Sequence, residues 1–582
     1  MAYKIAIRNR EYTEWTCFDS MKLSEVEIPF EFSPSREKLF NQDMFDINEE
    51  TKEIMVKHSS TRSMKGMPGV LLISKKRTFG KYKGKKNLYQ CVPDDKRLPI
   101  FLVPYEIKNI GFSKKITNKY VVMQFDSWSD DQKHPIAKLQ NTIGDVCHLE
   151  HFYEYQLYCK SLYASIQGFT RDTTRALKKK SEAEFIEQLC EKYNVIKRFL
   201  DTDKIYTIDS KSCKDFDDAF SIKNVSLEQR ELTCISIYIS NVSFWMEELE
   251  LWNSFSERIS SIYLPDKKRP MLPTVLSECL CSLVEKEKRF AFTMDIYVDL
   301  EALEFIDIKY SNTCIIVEKN LRYDTQELEE NTEYRKLYDA ITLLNRKKKY
   351  KYIDSITTSH DIIAYLMILM NYQCAKKMVE HKCGLFRSVT AIHRDIPEHL
   401  PQDVNKFLTY WGSSGGVYEK YNDETAMKKH EILRFDSYVH ITSPIRRLAD
   451  LLNIIQLQTK LRLTDLTKSA EDFYDYWTGD EKLDYVNRTM RVIRKVQCAC
   501  NLLDLCTNHP ETLEKEYTGY VFDRIKRNDG LYQYVAFICE IKMVSRYVSR
   551  HELDNFTEKK FKLFLFHDED SLKRKVRVNM ID

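Results

Sequence analysis

The chain has 582 residues, 43% hydrophobic and 30% charged, enough for about three to five domains of ~100–200 residues and far from a disordered or collagen-like composition. Ninety Lys and Arg against 87 Asp and Glu leave a formal net charge of +3, which by itself argues against a dedicated basic coat for nucleic acid. The longest apolar run, residues 362–370, falls short of the ~18 residues of a membrane span, the start lacks a secretory apolar stretch, and sixteen irregularly spaced cysteines point to a reducing compartment, cytoplasmic or nuclear.

Residues 1–64 are charged and irregular and suggest no assignable fold. Residues 62–86 then hold nine Lys or Arg and no acid, with Phe79 and Tyr82 interleaved. Short strand-like runs follow at 70–73, 88–92, 100–103 and 120–125, punctuated by Gly, Pro and Asp, so 65–150 reads as a small β-barrel. Such a barrel can grip single-stranded nucleic acid, with cations on the backbone and rings on the bases. Lys75, Lys76, Arg77 and Phe79 are the candidates, and a solvated basic loop beside core aromatics explains the segment equally well. Residues 151–200 are Gly-poor and rich in Glu, Lys, Leu and Ala, a helical link. In the body, 201–510, residues 234–240 alternate Ile with polar residues as a half-buried strand does, whereas 361–380 and 443–463 carry helical patterns. The tail, 511–582, returns to strand-like runs at 517–522, 533–541, 561–566 and 575–581, a second small barrel.

Phosphate-loop, nucleophile-elbow and zinc-protease motifs are absent. The densest chemistry is Ile208-Asp209 followed by Asp215-Phe216-Asp217-Asp218-Ala219, four aspartates within ten positions. Close carboxylates repel and, if buried, are driven toward protonation unless a cation joins them, and hard divalent cations prefer oxygen donors. Carboxylates with one or two such ions can activate water against a phosphodiester. Spacing alone leaves an acidic surface loop open. A second segment, Tyr438-Val439-His440-Ile441-Thr442-Ser443-Pro444-Ile445-Arg446-Arg447-Leu448-Ala449-Asp450, reads as a helix start with Ser443 as N-cap and Pro444 in the first turn. Free N–H groups there suit an anion, Arg446 can reach a phosphate, and Asp450 is spaced to orient Arg446. A plain structural Arg–Asp helix pair fits the same spacing.

Together these two segments resemble the signatures of the RNase II/RNB family of 3′-to-5′ exoribonucleases. The stretch Ser261-Ile262-Tyr263-Leu264-Pro265-Asp266 through Pro270-Met271-Leu272-Pro273 to Cys281-Ser282-Leu283 is also similar to a family segment. The likeness runs from about Gly69 to the C-terminus and is nearest the eukaryotic exosome-type branch, with too few residues ahead of it for a PIN endonuclease domain. It implies an α+β multidomain fold, with a central RNB catalytic domain between OB-type barrels, cold-shock-like before it and S1-like after it. It implies processive hydrolysis of single-stranded RNA from its 3′ end to 5′-mononucleotides, with two Mg²⁺ ions or Mn²⁺ in their place. Asp209, Asp215, Asp217 and Asp218 match metal ligands, Asp217 the catalytic aspartate, Arg446 the arginine on the scissile phosphate, and Tyr263 the ring stacked near the 3′ end. A monomer acting alone or within an exosome-like RNA-decay complex, away from membranes, is the expected setting.

The chain departs from the family pattern at Asn241, where a carboxylate is usual, and at Ala364 and Tyr365, which replace two glutamates. These changes bear on the grip on the terminal ribose and on selection of RNA over DNA. The rival expectation is an inactive RNB scaffold that binds RNA in mRNA or translation control; such proteins lose aspartates from the block, and this chain keeps all four. On this reading the near-neutral net charge sums a basic, aromatic-laced barrel and an acidic floor.

Overall fold

In the computed structural model, which describes residues 2–22, 24–28, 30–48, 50–107, 116–199, 204–227, 230–390, 396–397, 399–411, 416–422, 429–568 and 572–581, the chain divides into two units. One is Met1–Tyr163 with Leu264–Lys267 and Lys495–Asp582; the other is Ala164–Tyr263 with Lys268–Arg494.

The first unit begins with a sheet where the sequence suggested none. Strands Trp15–Asp19, Ala2–Ile7, Met44–Ile47 and Ile54–His58 pair in that order, all antiparallel. The sheet has no separate core, because Ile5, Ile7, Phe40 and Phe45 pack with Met67, Leu71, Phe101 and Val121 of the next element. The Phe40 ring lies parallel to that of Phe101 at 5.8 Å. That next element is the expected barrel. Strands Met67–Leu71, Lys119–Ser127, Ile136–Asp145, Phe101–Tyr105 and Lys86–Pro93 follow one another, and Met67–Leu71 also pairs with Lys86–Pro93, so the ring closes. Closure removes the open edges that an isolated sheet would expose.

The helical link expected at 151–200 does not act as one piece, and its last residue lies outside the described residues. Helix Leu149–Cys159 stays with the first unit, where Tyr155 stacks on Tyr120 at 4.3 Å, whereas Gln167–Leu177 and Glu182–Lys192 belong to the second. The tail also joins the first unit. Its antiparallel strands run Met543–Ser549, Tyr532–Ile538, Tyr517–Lys526, Thr557–Asp568 and Lys573–Ile581, the first of them without a counterpart in the sequence reading. Lys573 ion-pairs with Asp94, and Tyr153 donates to Asp504 at 2.8 Å, tying tail, barrel and helix. Gly519 sits where a Cβ would lie 2.7 Å from the Phe537 carbonyl oxygen. Gly519→Ala is therefore expected to cost about 1–3 kcal/mol through overpacking. Denaturant unfolding followed by hydrogen exchange in the tail strands checks it, and an unchanged midpoint would refute the tight fit.

The second unit is built on a seven-stranded mixed sheet, in the order Ile196–Arg198, Glu304–Ile316, Lys288–Asp299, Arg230–Ser240, Asp218–Leu227, Tyr206–Asp209, Lys319–Arg322. Its central strand is not half-buried as the alternation suggested. Ile235, Ile237 and Ile239 pack in one core with helices Thr332–Arg346 and Ser359–Glu380. Ser236, Tyr238 and Ser240 on the opposite face are buried too. Those polar residues are satisfied: Ser236 donates to Asp295 at 2.6 Å, Tyr238 pairs with Ser221 at 2.9 Å, and Ser240 donates to the Cys281 carbonyl at 2.5 Å. Buried hydroxyls with partners mimic an exposed face in sequence. Helix Ser359–Glu380 starts with a reciprocal Thr358–Asp361 capping box. No helix among the described residues is long and apolar enough to cross a membrane.

Candidate active site

All four aspartates lie where strand Tyr206–Asp209 ends and its antiparallel neighbour Asp218–Leu227 begins. Asp209 closes one strand, Asp218 opens the next, and Asp215 and Asp217 stand on the connecting loop. Ser282 pins that loop, accepting the Phe216 N–H at 2.9 Å and donating to the Lys214 carbonyl at 2.9 Å. The Asp217 carbonyl accepts the Ser240 N–H at 2.8 Å.

Asp217, only 4% exposed, joins the two segments that the sequence separates by more than two hundred residues. One of its carboxylate oxygens accepts the Ile445 N–H at 2.9 Å and the other the Arg446 Nε–H at 3.0 Å. Burial pushes its carboxyl up to about 7 in spite of Arg446. Asp209 is pushed up to about 6, mainly by burial, with the charge of Asp215 adding to it. Asp218 is raised well above the ordinary carboxyl range by burial first and then by Asp209 and Asp217. Three carboxyls that resist ionisation at one strand junction form a site that favours a cation. Asp209 Oδ2 is buried without a hydrogen-bond partner, and the Asp218 side chain makes no hydrogen bond or ion pair with the described residues. Oxygen donors with unused lone pairs suit a hard divalent ion. As they stand, no three His, Cys, Asp or Glu side chains among the described residues are gathered closely enough to hold a metal.

Asp215 has a different environment. Lys268 Nζ lies 3.0 Å from one of its oxygens, and the Tyr263 hydroxyl lies 3.5 Å from the other. Tyr263 and Lys268 face each other across the short hairpin of Ile262–Tyr263 and Lys268–Arg269, and Tyr263 is 40% exposed. Lys268 carried no signal in the sequence, since a lysine five positions after a tyrosine is unremarkable until a hairpin pairs them.

The Arg446 segment corrects the sequence reading. The helix begins at Leu448 with Arg447 as N-cap, not at Ser443, and residues 443–447 form a separate turn in which Arg446 and Arg447 donate their N–H groups to the Ser443 carbonyl. Asp450 orients Arg447 at 2.9 Å, not Arg446, and also accepts the Ser443 N–H at 2.8 Å. Arg446 is oriented instead by Asp217 and donates to the Ser443 hydroxyl at 2.8 Å. Its carbonyl accepts from the Ser261 N–H and the Ser260 hydroxyl, each at 3.0 Å, which brings the Tyr263 hairpin alongside.

Two stretches, residues 197–340 and 325–463, match the profile of the RNB domain, and residues 88–152 match the Dis3-like cold-shock domain 2 (CSD2). The chain carries an RNB domain. Ribonuclease R of Chlamydia trachomatis is 26% identical over 237 residues, 40% of this chain and 32% of that protein. DIS3-like exonuclease 2 of Caenorhabditis elegans is 34% identical over 137 residues, 23% of this chain and 16% of the relative. The matched stretches thus span a third or less of these relatives. Mycoplasma genitalium RNase R, solved in complex with ribose methylated single-stranded RNA, superposes with a TM-score of 0.66 over the full length of both chains at 16% identity. Yeast Ssd1, described as a pseudonuclease, superposes with a TM-score of 0.57 at 14% identity, covering 97% of this chain and 80% of its own. At these identities the likeness is one of fold.

Within the RNB domain, the departures at Asn241 and Tyr365 serve packing. Asn241, 1% exposed, joins Ser243, Asn312 and Gln458 in a buried amide network. Tyr365 is fully buried and donates to the Tyr350 carbonyl at 3.0 Å, while Ala364 is exposed. Lys75, Lys76, Arg77 and Phe79 lie in the other unit, between barrel strands Met67–Leu71 and Lys81–Tyr82. The three cations are exposed, and the Arg77 guanidinium covers the half-buried Phe79 ring at 5.0 Å, so that ring has a partner already.

Proposed function

We propose that the chain is a metal-dependent 3′-to-5′ exoribonuclease acting on single-stranded RNA and releasing 5′-mononucleotides. The observation that carries this reading is the junction at Asp217, where one buried carboxylate holds both the Ile445 N–H and the Arg446 guanidinium beside three further aspartates. The fold alone does not decide between enzyme and binder, because a pseudonuclease shares it. The complete carboxylate block and the oriented arginine favour the enzyme. Mg²⁺ or Mn²⁺ is the cofactor on this reading, held by carboxylates of the block from Asp209 to Asp218. When bound, such an ion supplies a nucleophilic water and stabilises charge on the phosphate. Asp217 aims Arg446, whose free guanidinium nitrogen can meet a phosphate oxygen as negative charge builds. Tyr263, exposed and anchored through its hydroxyl to Asp215, offers a ring face to a terminal base. Lys75, Lys76 and Arg77 offer charge to the RNA backbone, and the exosome-like setting stays part of the same proposal.

The test is purified protein with Mg²⁺ and 5′-labelled single-stranded RNA. Progressive shortening with mononucleotide release supports the reading, and binding without shortening in either Mg²⁺ or Mn²⁺ overturns it. Tyr263→Ala is expected to weaken RNA binding by about 1–3 kcal/mol per lost stack and to lengthen the final product. Unchanged end products on a sequencing gel would remove Tyr263 from the role.

A further inference from the structure

The four aspartates fall into two pairs by what touches them. Asp217 has Arg446 at 3.0 Å, and Asp215 has Lys268 at 3.0 Å. Asp209 and Asp218 are in no ion pair among the described residues, and Asp209 Oδ2 is a buried oxygen without a hydrogen-bond partner. The Lys268 ammonium is firmly seated. Its side chain is 18% exposed, that of Asp215 is 7%, and Nζ also lies 3.1 Å from Glu278 on the helical turn Val275–Leu280. The hairpin register opposite Tyr263 fixes the direction from which Lys268 arrives. A divalent ion bridging to Asp215 would have to displace this ammonium or sit beside it, and like charges a few ångströms apart in a partly buried site repel strongly. Lys268 is shared between Asp215 and Glu278, and Arg446 faces Asp217, so Asp209 and Asp218 are the two aspartates of the block without a side-chain cation, and their two charges are what one divalent ion balances.

We propose that Lys268 is a built-in cation of the site, its ammonium engaging Asp215 in place of a second divalent ion, so that the block binds one ion, at Asp209 and Asp218. This rests on the metal-dependent reading above and replaces the two ions that the family resemblance implies. Lys268 acts here as a positioning residue, holding Asp215 and, across the hairpin, the hydroxyl end of Tyr263.

The experiment is a Mn²⁺ titration of the full chain without RNA, read by electron paramagnetic resonance of free Mn²⁺, so that no activity enters the readout. Wild-type protein is expected to bind one Mn²⁺ strongly, and Asp218→Asn to lose it. Lys268→Met, which keeps side-chain length and drops the charge, is expected to gain a second Mn²⁺ with affinity raised about tenfold or more. Lys268→Arg should retain the single-ion behaviour. Two ions of similar affinity in the wild type, or a Lys268→Met protein with unchanged number and affinity, overturns the proposal and leaves metal dependence standing. Absence of any Mn²⁺ binding sensitive to Asp218→Asn overturns metal dependence itself and this proposal with it.

Discussion

Asp217→Asn is expected to lower single-turnover RNA cleavage by about a hundred- to a thousandfold, the cost of losing one preorganised electrostatic contact in a catalytic site, or more. RNA affinity is expected to stay within about threefold, because many phosphate contacts elsewhere dominate it. The carboxylate uses both oxygens, one on the Ile445 N–H and one on Arg446 Nε. An asparagine has one acceptor and turns an NH₂ group toward a donor, so either the backbone turn or the guanidinium loses its partner. If the turn keeps the oxygen, Arg446 meets an amide donor and swings away. If Arg446 keeps it, the buried Ile445 N–H is orphaned at about 1–3 kcal/mol. Arg446 is 43% exposed at the side chain, so water can solvate the released guanidinium, and global stability should fall less than activity. Cleavage rate and fluorescence-anisotropy affinity measured on the same preparation separate these effects, and a variant that cleaves at the wild-type rate would refute the role of Asp217.

Most strands of the barrel and of the tail sheet were legible because their apolar runs are bounded by Gly, Pro and Asp, whereas Ile136–Asp145 and Met543–Ser549 were not. The aspartate loop was legible because its chemistry is local in sequence. The N-terminal sheet was not legible. Its strands are four to six residues long, and its apolar residues, Phe40 and Phe45 among them, complete a core whose other half is barrel residues such as Phe101 and Val121. A half-core has no periodicity of its own. Lys268 was invisible for a related reason, since its contact with Asp215 spans 53 positions and exists only once the hairpin forms. At Arg446 and Arg447 the right residue types were read with the wrong partners. The helix starts four residues later than the Ser-Pro signature indicates, because Leu448 N–H bonds to the Ile259 carbonyl and Ser260 bridges Arg447, which hold the turn apart from the helix.

That turn makes Asp450→Ala the largest expected stability loss, about 3–5 kcal/mol, as for one partner removed from a buried ion pair. Asp450 is fully buried, accepts the Ser443 N–H at 2.8 Å and holds the Arg447 guanidinium at 2.9 Å. Arg447 Nε is itself buried without a partner, so its charge depends on this carboxylate. Alanine would leave a guanidinium unpaired, orphan an N–H and open a small cavity. Asp450→Asn keeps an acceptor for Ser443 but not the charge, and should fall between wild type and alanine. Urea unfolding checks the order, and a loss in Asp450→Ala below about 1 kcal/mol, the range of an exposed pair, would mean that Arg447 reaches solvent freely. Activity should fall with stability in both variants, although Asp450 touches neither the aspartate block nor Arg446. The Ser443 to Arg447 turn is the only covalent path from Asp450's anchor to Arg446, and its ends are fixed at Ser443 by Asp450 and at Ile445 by Asp217. Freeing one end lets Arg446 drift from the carboxylate that aims it, and stabilising osmolytes would restore folding without restoring that aim.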